Sequence, residues 1–280
     1  MFKTIVVTNP AVGHSLGLRA LLLAGLVMLV FWTGCGIPDE EPVTILISRE
    51  DTLAYRAIEA DGGMRAWQNL RHAAFSFGTE RDGVSQPFRR HIWDRHTGDY
   101  RLEYPVGADT ATVVLFNVHT QAGAVYKAGT LVGGADAEIQ LSRAYRAFIN
   151  DTYWFLFPVK LLDPGVTRTL LPDTHATAYG IELTYDGVGL TPGDRFRAFI
   201  DRETYKVTEW SFILEGNPTA PATHYRWEEE QTFMTAGGPL SVRTRKVNRT
   251  SGRVLLTDDV RLEDQMDQRW YTDGSPSATW

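Results

Sequence analysis

Residues 153–162 read Tyr-Trp-Phe-Leu-Phe-Pro-Val-Lys-Leu-Leu, the most apolar stretch that follows the N-terminal segment of this 280-residue chain. Residues 150–152, Asn-Asp-Thr, are of the types that cap helix N-termini, so they predict a second short helix over residues 153–157. Residues 163–165, Asp-Pro-Gly, predict a turn that ends the segment. The stretch therefore predicts a helical interruption of the chain whose aromatic side chains are buried.

The segments on either side of this stretch have the pattern of β-strands. Short runs rich in Val, Ile, Thr, Tyr, Phe and Trp alternate with turn residues about every 8–12 residues. Trp210 and Phe212 alternate with Glu209 and Ser211, so one face of that strand meets a core and the other meets water. The predicted strands cover residues 73–81, 87–94, 99–104, 112–119, 124–128, 167–171, 177–185, 195–201, 206–215, 223–234, 240–248 and 254–262.

Helices are predicted before the first strand and in the middle of the chain. Residues 48–51, Ser-Arg-Glu-Asp, have the spacing of a capping box, which predicts a helix that begins near Arg49. Gly62-Gly63 should end it, because glycine adopts left-handed backbone angles at little cost. A middle helix is predicted from the apolar face formed by Leu141, Ala144, Tyr145, Phe148 and Ile149.

Together these elements predict an α+β protein that is mainly antiparallel β. We expect a curved sheet or incomplete β-barrel of about 11–12 strands, with helices covering its concave side. The polar residues that follow Asp267 predict a frayed tail, in which Trp270 is the side chain best suited to docking.

The N-terminal residues have the features of a bacterial-type export signal. Lys3 and Arg19 precede an uncharged apolar run over residues 20–32, a pattern typical of signal peptides. The run is shorter than the ~20 residues of a membrane-spanning helix, but the uncharged stretch continues to Ile37, so an uncleaved anchor is the alternative. The predicted division of the chain is a signal peptide over residues 1–34, a flexible tether over 35–48 and one domain over 49–280.

Cys35 is the single cysteine of the chain, and it directly follows Thr33-Gly34. Small residues before a cysteine resemble the end of a lipobox, in which the cysteine is acylated and becomes the first residue of the mature protein. Trp32 departs from that pattern, which usually has Leu there, and an ordinary signal peptide with an incidental cysteine is the alternative. We predict that Cys35 carries a lipid anchor, and Gly36 in place of Asp favours the outer membrane.

Three segments of the domain together resemble one known family. They are residues 57–63, Ala-Ile-Glu-Ala-Asp-Gly-Gly; residues 149–158, Ile-Asn-Asp-Thr-Tyr-Trp-Phe-Leu-Phe-Pro; and residues 194–204, which begin Asp-Arg-Phe. They resemble envelope lipoproteins that share the LolA/LolB-type lipoprotein-carrier fold. The resemblance covers residues 50–262 and implies an unclosed antiparallel barrel, lined with apolar side chains and lidded by helices. In the carriers, such a cavity holds the acyl chains of a lipoprotein in transit.

Aromatic residues of the middle segment and of one later strand form the candidate ligand site. An apolar pocket stabilises a bound acyl chain by roughly 0.8 kcal/mol per buried CH₂. The alternative is that these rings only pack helix against sheet, and a cavity of acyl-chain size would favour the ligand. The predicted cavity or lid residues are Tyr145, Phe148, Tyr153, Trp154, Phe157, Trp210 and Phe212.

The predicted domain has no motif of a known catalytic site: neither a Gly-x-Ser-x-Gly nucleophile elbow, nor His-Glu-x-x-His, nor a phosphate-binding or dinucleotide fingerprint occurs there. His91, Asp94 and His96 come nearest to a metal cluster, but His91 faces away from the other two on a strand. We therefore predict no metal and no cofactor. A hydrolase with paired carboxylates is an alternative, because its two acids can lie far apart in sequence.

These features predict a non-catalytic lipoprotein of the bacterial cell envelope that faces the periplasm and acts as a monomer. Its predicted partners are the membrane, through Cys35, and a lipid or the acyl chains of a lipidated protein. The net charge of −6 and the absence of a basic run argue against nucleic acid. An envelope structural or interaction module without a ligand is the first alternative.

Cys35→Ala should abolish incorporation of a fatty-acid analogue during metabolic labelling, because the thiol is the group that is acylated. Gly36→Ala is the matched control, since it changes the neighbouring residue and keeps the thiol. Equal labelling of the wild type and Cys35→Ala would contradict the predicted anchor.

Overall fold

The computed structural model of the protein describes residues 48–105, 110–173 and 175–277. Cys35 and the predicted signal peptide lie outside these residues, as does the predicted tether up to residue 47. None of the helices in the described residues combines the length and the apolar character that a membrane span requires.

The described residues form three α-helices and one 3₁₀ helix: α1 (Arg49–Ala60), α2 (Gly63–Asn69), α3 (Gly134–Lys160) and a 3₁₀ helix over Gln268–Tyr271. The predicted start of α1 is confirmed, because the Ser48 side chain accepts a hydrogen bond of 3.1 Å from the Asp51 amide. Gly62 separates α1 from α2 with a φ of 117°. A Cβ atom there would lie 2.0 Å from the Pro239 carbonyl oxygen, so the close approach of β13 requires glycine.

In the part of the chain that the structure describes, fourteen strands form one antiparallel sheet, so the predicted α+β fold with a curved, unclosed sheet is confirmed. The expected count of 11–12 was too low because β2 and β7 are too short to show alternation. The strands are β1 (His72–Arg81), β2 (Val84–Ser85), β3 (Arg89–Asp94), β4 (Asp99–Tyr104), β5 (Thr112–Asn117), β6 (Gly123–Lys127), β7 (Thr130–Val132), β8 (Val166–Leu170), β9 (Ala178–Tyr185), β10 (Arg195–Asp201), β11 (Val207–Ile213), β12 (Thr223–Thr235), β13 (Gly238–Asn248) and β14 (Val254–Glu263).

Helix α3 carries the chain from one edge of the sheet to the other. The strand order is β7-β6-β5-β4-β3-β1-β14-β13-β12-β11-β10-β9-β8, with β2 paired to β1. Strands β1 to β7 therefore step outward to one edge, and β8 to β14 step back from the opposite edge until β14 pairs with β1. The 27 residues of α3 span about 40 Å at 1.5 Å per residue.

The helices pack on one face of the sheet, called here the inner face. A large cluster of buried apolar side chains joins α1, α2 and the C-terminal half of α3 to strands on both sides of the β1–β14 pair. A smaller cluster joins the N-terminal half of α3 to β4, β5 and β6. The single helix α3 therefore takes part in both clusters.

The predicted helix start at residues 150–152 is wrong, because α3 runs continuously through them. Asp151 is fully buried, and its oxygens accept hydrogen bonds of 2.7 and 3.0 Å from Arg89 Nε and Nη2. The Nε2 atom of His91 lies 3.0 Å from Asp151 Oδ2. The carboxylate thus pairs with side chains of β3 instead of capping a helix, and it fixes α3 to the sheet.

The C-terminal residues pack on the outer face of the sheet, in contrast to the frayed tail that was expected. Arg101 on β4 donates hydrogen bonds to the carbonyl oxygens of Asp273 (2.6 Å) and Ser275 (2.7 Å). Glu103 accepts one of 3.0 Å from the Ser277 amide. The guanidinium of Arg101 also lies 5.6 Å from the Trp270 ring. Charged residues of β4 therefore bind this tail, which polarity alone did not reveal.

Asp151→Asn should lower the free energy of unfolding by about 1.5–3 kcal/mol, because it removes the buried charge to which the partly exposed Arg89 guanidinium donates its hydrogen bonds. The measurement is the urea midpoint at pH 7 with an unchanged m-value. Asp136→Asn is the matched control on the same helix, since that carboxylate is exposed and its ion pair is with the exposed Lys127. Equal midpoints for the two variants would show that the buried pair does not anchor α3.

Candidate functional site

The candidate site is the inner face beneath the C-terminal half of α3, where an aromatic cluster forms. The cluster is defined by Tyr153, Trp154 and Phe157 of α3 with Trp210 of β11 and Trp227 of β12. The ring centroids of Phe157 and Trp210 are 3.6 Å apart, and those of Tyr153 and Trp210 are 5.3 Å apart. Trp227 lies 5.5 Å from Phe157. Rings from the helix therefore interlock with rings from the sheet.

A kink in α3 sets the direction of these rings. Leu156 has φ −115° and ψ 17°, outside the helical range, and Pro158 follows two residues later. Proline lacks the amide hydrogen that an α-helix uses, and its ring clashes with the carbonyl of the preceding turn. The helix therefore bends between Trp154 and Phe157, and both rings still reach the sheet.

The structure brings most of the predicted site residues together. Tyr153, Trp154, Phe157 and Trp210 all belong to the aromatic cluster, and Phe212 lies at its margin, 6.1 Å from Trp154. The other two predicted residues, Tyr145 and Phe148, pack instead against the smaller cluster. The Phe148 ring lies 5.0 Å from Tyr100 and 5.2 Å from Trp93. These two residues therefore belong to a separate part of the inner face.

The inner face is filled by the protein's own side chains. A cavity of about 30 Å³ lies at the kink of α3, which is close to the volume of one water molecule in the liquid. Its lining comes from α3, β13 and β14 and includes Leu156, Pro158, Val242 and Leu262. A larger polar cleft of about 260 Å³ lies on the outer face at the C-terminal tail. Neither cavity is lined by the predicted site residues.

Strands β13 and β14 separate close to the aromatic cluster and form a fork. They pair over three residue pairs, Arg245–Leu256, Lys246–Leu255 and Val247–Val254. From Arg243 back to Gly238, β13 pairs with β12, and from Thr257 to Glu263, β14 pairs with β1. The Lys246 ammonium lies at the fork, where it donates hydrogen bonds to the Arg243 carbonyl oxygen (2.5 Å) and to Thr257 Oγ1 (3.1 Å).

Lys246 is fully buried, and no carboxylate lies within ion-pair distance of it in the described part of the chain. Its Nζ atom lies 5.3 Å from the centroid of the Trp227 ring. Burial, with a smaller contribution from the positive charge of Arg243, lowers the pKa of Lys246 to about 7. The sequence held one signal for this position: alternation along β13 places residue 246 on the same face as the buried Leu240 and Val242.

Two indole groups of the aromatic cluster lack a hydrogen-bond acceptor. The Nε1 atoms of Trp210 and Trp227 are buried, and no acceptor for either occurs among the described residues. Buried indole N–H groups usually find a partner, because burial removes their bonds to water. The inner face therefore contains unused hydrogen-bond donors inside an apolar surface.

The residues considered for a metal do not come together. His91 lies on the inner face, where its Nδ1 is 2.7 Å from the Tyr100 hydroxyl and burial lowers its pKa. Asp94 instead accepts hydrogen bonds from Arg71 and from the amides of His96 and Thr97. Within the described ranges, no group of three or more His, Cys, Asp or Glu side chains is arranged to hold a metal ion.

The His91–Asp151 pair has the chemistry of an internal link between helix and sheet. Burial alone would raise the pKa of Asp151, but His91 and Arg89 outweigh it and hold this pKa below its ordinary value. A neutral His91 accepts at Nδ1 from the Tyr100 hydroxyl, and its Nε2 lies 3.0 Å from Asp151 Oδ2 without the geometry of a hydrogen bond. His91, Asp151 and Tyr100 are each at most 1% exposed, so their hydrogen bonds are used within the protein.

No protein-family model matches the chain, and no curated protein matches it either. Similar solved structures include a LolA superfamily protein from Nitrosomonas europaea, with 14% identity and a TM-score of 0.45 over 79% of this chain and 96% of that one. A DUF1329 family protein from Desulfovibrio piger ATCC 29098 has 12% identity and a TM-score of 0.44 over 79% and 94%.

Lys246→Met should remove a pH dependence of stability. Because the pKa of Lys246 is about 7 in the folded chain and 10.5 ordinarily, the unfolded chain holds a proton between these values that the folded chain has lost. The free energy of unfolding of the wild type, relative to Lys246→Met, should therefore rise by about 3–4 kcal/mol from pH 7 to pH 10. Urea titrations at several pH values measure this difference.

Lys127→Met is the control for that comparison, because Lys127 is exposed and pairs with Asp136. It should follow the pH dependence of the wild type. A difference between wild type and Lys246→Met that stays constant from pH 7 to pH 10 would be evidence against a neutral buried lysine.

Proposed function

We propose that this protein is a non-catalytic lipoprotein of the bacterial cell envelope that binds an acyl chain on its inner face. An acylated Cys35 would tether it to the outer membrane, and the domain would face the periplasm as a monomer. The observation that supports the proposal most is the inner face itself. It is a broad apolar surface that one kinked helix covers with aromatic rings.

The free energy gained by burying an acyl chain on this surface is similar to that gained by burying two rings of α3. Two rings such as Trp154 and Phe157 contribute roughly 8–12 kcal/mol, since each buries about 150–250 Å² at about 25 cal/mol per Å². A sixteen-carbon chain contributes a similar ~11 kcal/mol at ~0.8 kcal/mol per CH₂. Because neither the acyl chain nor the rings depend on directional bonds, a ligand could replace the rings with a small net change in free energy.

The helix has a fixed part and a part that could move. Asp151 fixes α3 to β3, and Leu156 departs from helical geometry five residues later. Residues 156–160 lie beyond the kink, next to the small cavity. In the proposed mechanism an acyl chain enters at this cavity, and displacement of residues 154–160, which include the bend and both rings, opens the inner face.

A ligand-free interaction module is the second candidate, and the filled inner face favours it. In that case the aromatic cluster would be the permanent core, and another surface would bind a partner. We do not propose an enzyme, because His91 and Asp151, the acid and base groups that the described residues bring together, are buried and already paired.

Lipid that co-purifies with the full-length chain tests the proposal. The Cys35→Ala form, which lacks the predicted covalent anchor, should yield about one acyl lipid per chain when its organic extract is analysed by mass spectrometry. Val242→Phe, which fills the cavity at the kink, should reduce that amount severalfold. Val84→Phe is the matched control at an exposed position and should retain the lipid.

A chain that is folded and yields no lipid would contradict acyl-chain binding and favour the interaction module. Equal lipid content in Val242→Phe and Val84→Phe would contradict entry at the kink.

A further inference from the structure

We infer that the ligand of the inner face is a long-chain fatty acid whose carboxylate binds Lys246 at the fork between β13 and β14. The inference rests on the proposed function, and it adds the chemistry of the headgroup and the residue that recognises it. Four features of the fork carry it: the missing countercharge, the unused donors, the position beside the aromatic cluster and the paired state of the neighbouring arginine.

The first feature is a charge without a counterion. The Lys246 side chain is fully buried, and its hydrogen-bond acceptors are a carbonyl and a hydroxyl, both uncharged. An ammonium in such surroundings destabilises the fold, because it has lost its hydration and gained no opposite charge. A ligand that brings one negative charge to the fork compensates this loss.

The second feature is the number of hydrogen-bond donors. An ammonium has three N–H groups. Two of them donate here, to the Arg243 carbonyl oxygen and to Thr257 Oγ1. Trp227 lies directly opposite Lys246 in the β12–β13 register, and its indole N–H has no acceptor among the described residues. The Trp227 indole N–H and one N–H of the ammonium are therefore donors for which the described residues supply no hydrogen-bond acceptor.

The third feature is the position of these donors at the end of the apolar surface. Trp227 belongs to the aromatic cluster, with ring centroids 5.5 Å from Phe157 and 6.5 Å from Trp154. A headgroup at Lys246 therefore leaves its hydrocarbon chain against the rings that the proposed function assigns to acyl binding. The hydrogen-bond donors lie at one end of the apolar surface, as the carboxylate lies at one end of the hydrocarbon chain of a fatty acid.

The fourth feature is that the nearby arginine is already paired. Arg243 Nη1 lies 3.1 Å from Asp61 Oδ1 and 3.1 Å from Glu230 Oε2. Its charge is therefore compensated by the protein, and the two carboxylates are held on the arginine. Among these charged groups, Lys246 is the one for which a ligand must supply the opposite charge.

A weak acid suits this lysine better than a permanently ionised headgroup. A protonated fatty acid is neutral, so it can cross the apolar surface without desolvating a charge. At the fork its O–H proton passes to the Lys246 amine, which gives a carboxylate and an ammonium with no other reactant. A phosphodiester headgroup would have to enter already charged, at a much higher desolvation cost.

The test compares palmitate with hexadecanol, which has the same chain length and no charge. Binding to the full-length Cys35→Ala protein is measured by equilibrium dialysis, with cyclodextrin as the solubiliser. Palmitate should bind about 10- to 100-fold more tightly than hexadecanol, the range expected when one charged hydrogen-bonded contact is added. In Lys246→Met this ratio should fall to near one. Lys127→Met should keep the wild-type ratio.

A second measurement needs no variant. The carboxyl ¹³C shift of [1-¹³C]palmitate bound to the wild-type chain should be that of an ionised carboxylate. A protonated shift, equal binding of the two ligands by the wild type, or an unchanged ratio in Lys246→Met would overturn the headgroup assignment and leave acyl binding intact. Binding of neither ligand would overturn the proposed function and the assignment with it.

Discussion

The buried carboxylate of Asp151 is the constraint on which the arrangement of the inner face depends. Helix α3 connects the two outer edges of the sheet in the described residues, and most of its contacts are apolar packing, which is not directional. The charged hydrogen bonds from Arg89 to Asp151 are directional, so they fix one point of the helix on β3. The aromatic residues that follow are thereby placed over β11 and β12.

The same arrangement accounts for the unusual chemistry of the inner face. Rings of α3 cover most of the surface, and the bend near Pro158 leaves a small gap beside β13 and β14. These two strands separate there, and the Lys246 ammonium bridges them instead of a ladder of backbone hydrogen bonds. The separation of β13 from β14 thus places the Lys246 ammonium inside an apolar surface.

Much of the fold could be predicted because its signals are local. The capping residue Ser48, the break at Gly62 and the alternation at Trp210 each depend on neighbouring residues, and the structure contains the corresponding elements. Asp151 was interpreted as a helix cap because the sequence shows residue type and spacing but not the partner across space. Its partner Arg89 lies 62 residues away.

The candidate site could be predicted only in its apolar part. Clustered aromatic residues such as Trp154 and Phe157 are visible in the sequence, whereas the fork depends on pairing that ends after three residue pairs. Lys246 has the alternation of an inward-facing residue, but lysine on a strand is ordinarily solvated, so its burial depends on the whole sheet. The tail that binds Arg101 was missed because its contacts are made by backbone carbonyl groups.

The path of α3 has a consequence for the order in which the protein can assemble. Strand β1, near the start of the domain, lies between β3 and β14, and His72 pairs with Glu263 near the opposite end of the chain. Contacts so distant in sequence form late, because a long loop must close first. The centre of the sheet is therefore completed by the last strand, and until β14 is added, β1 pairs with β3 while its other edge stays unpaired.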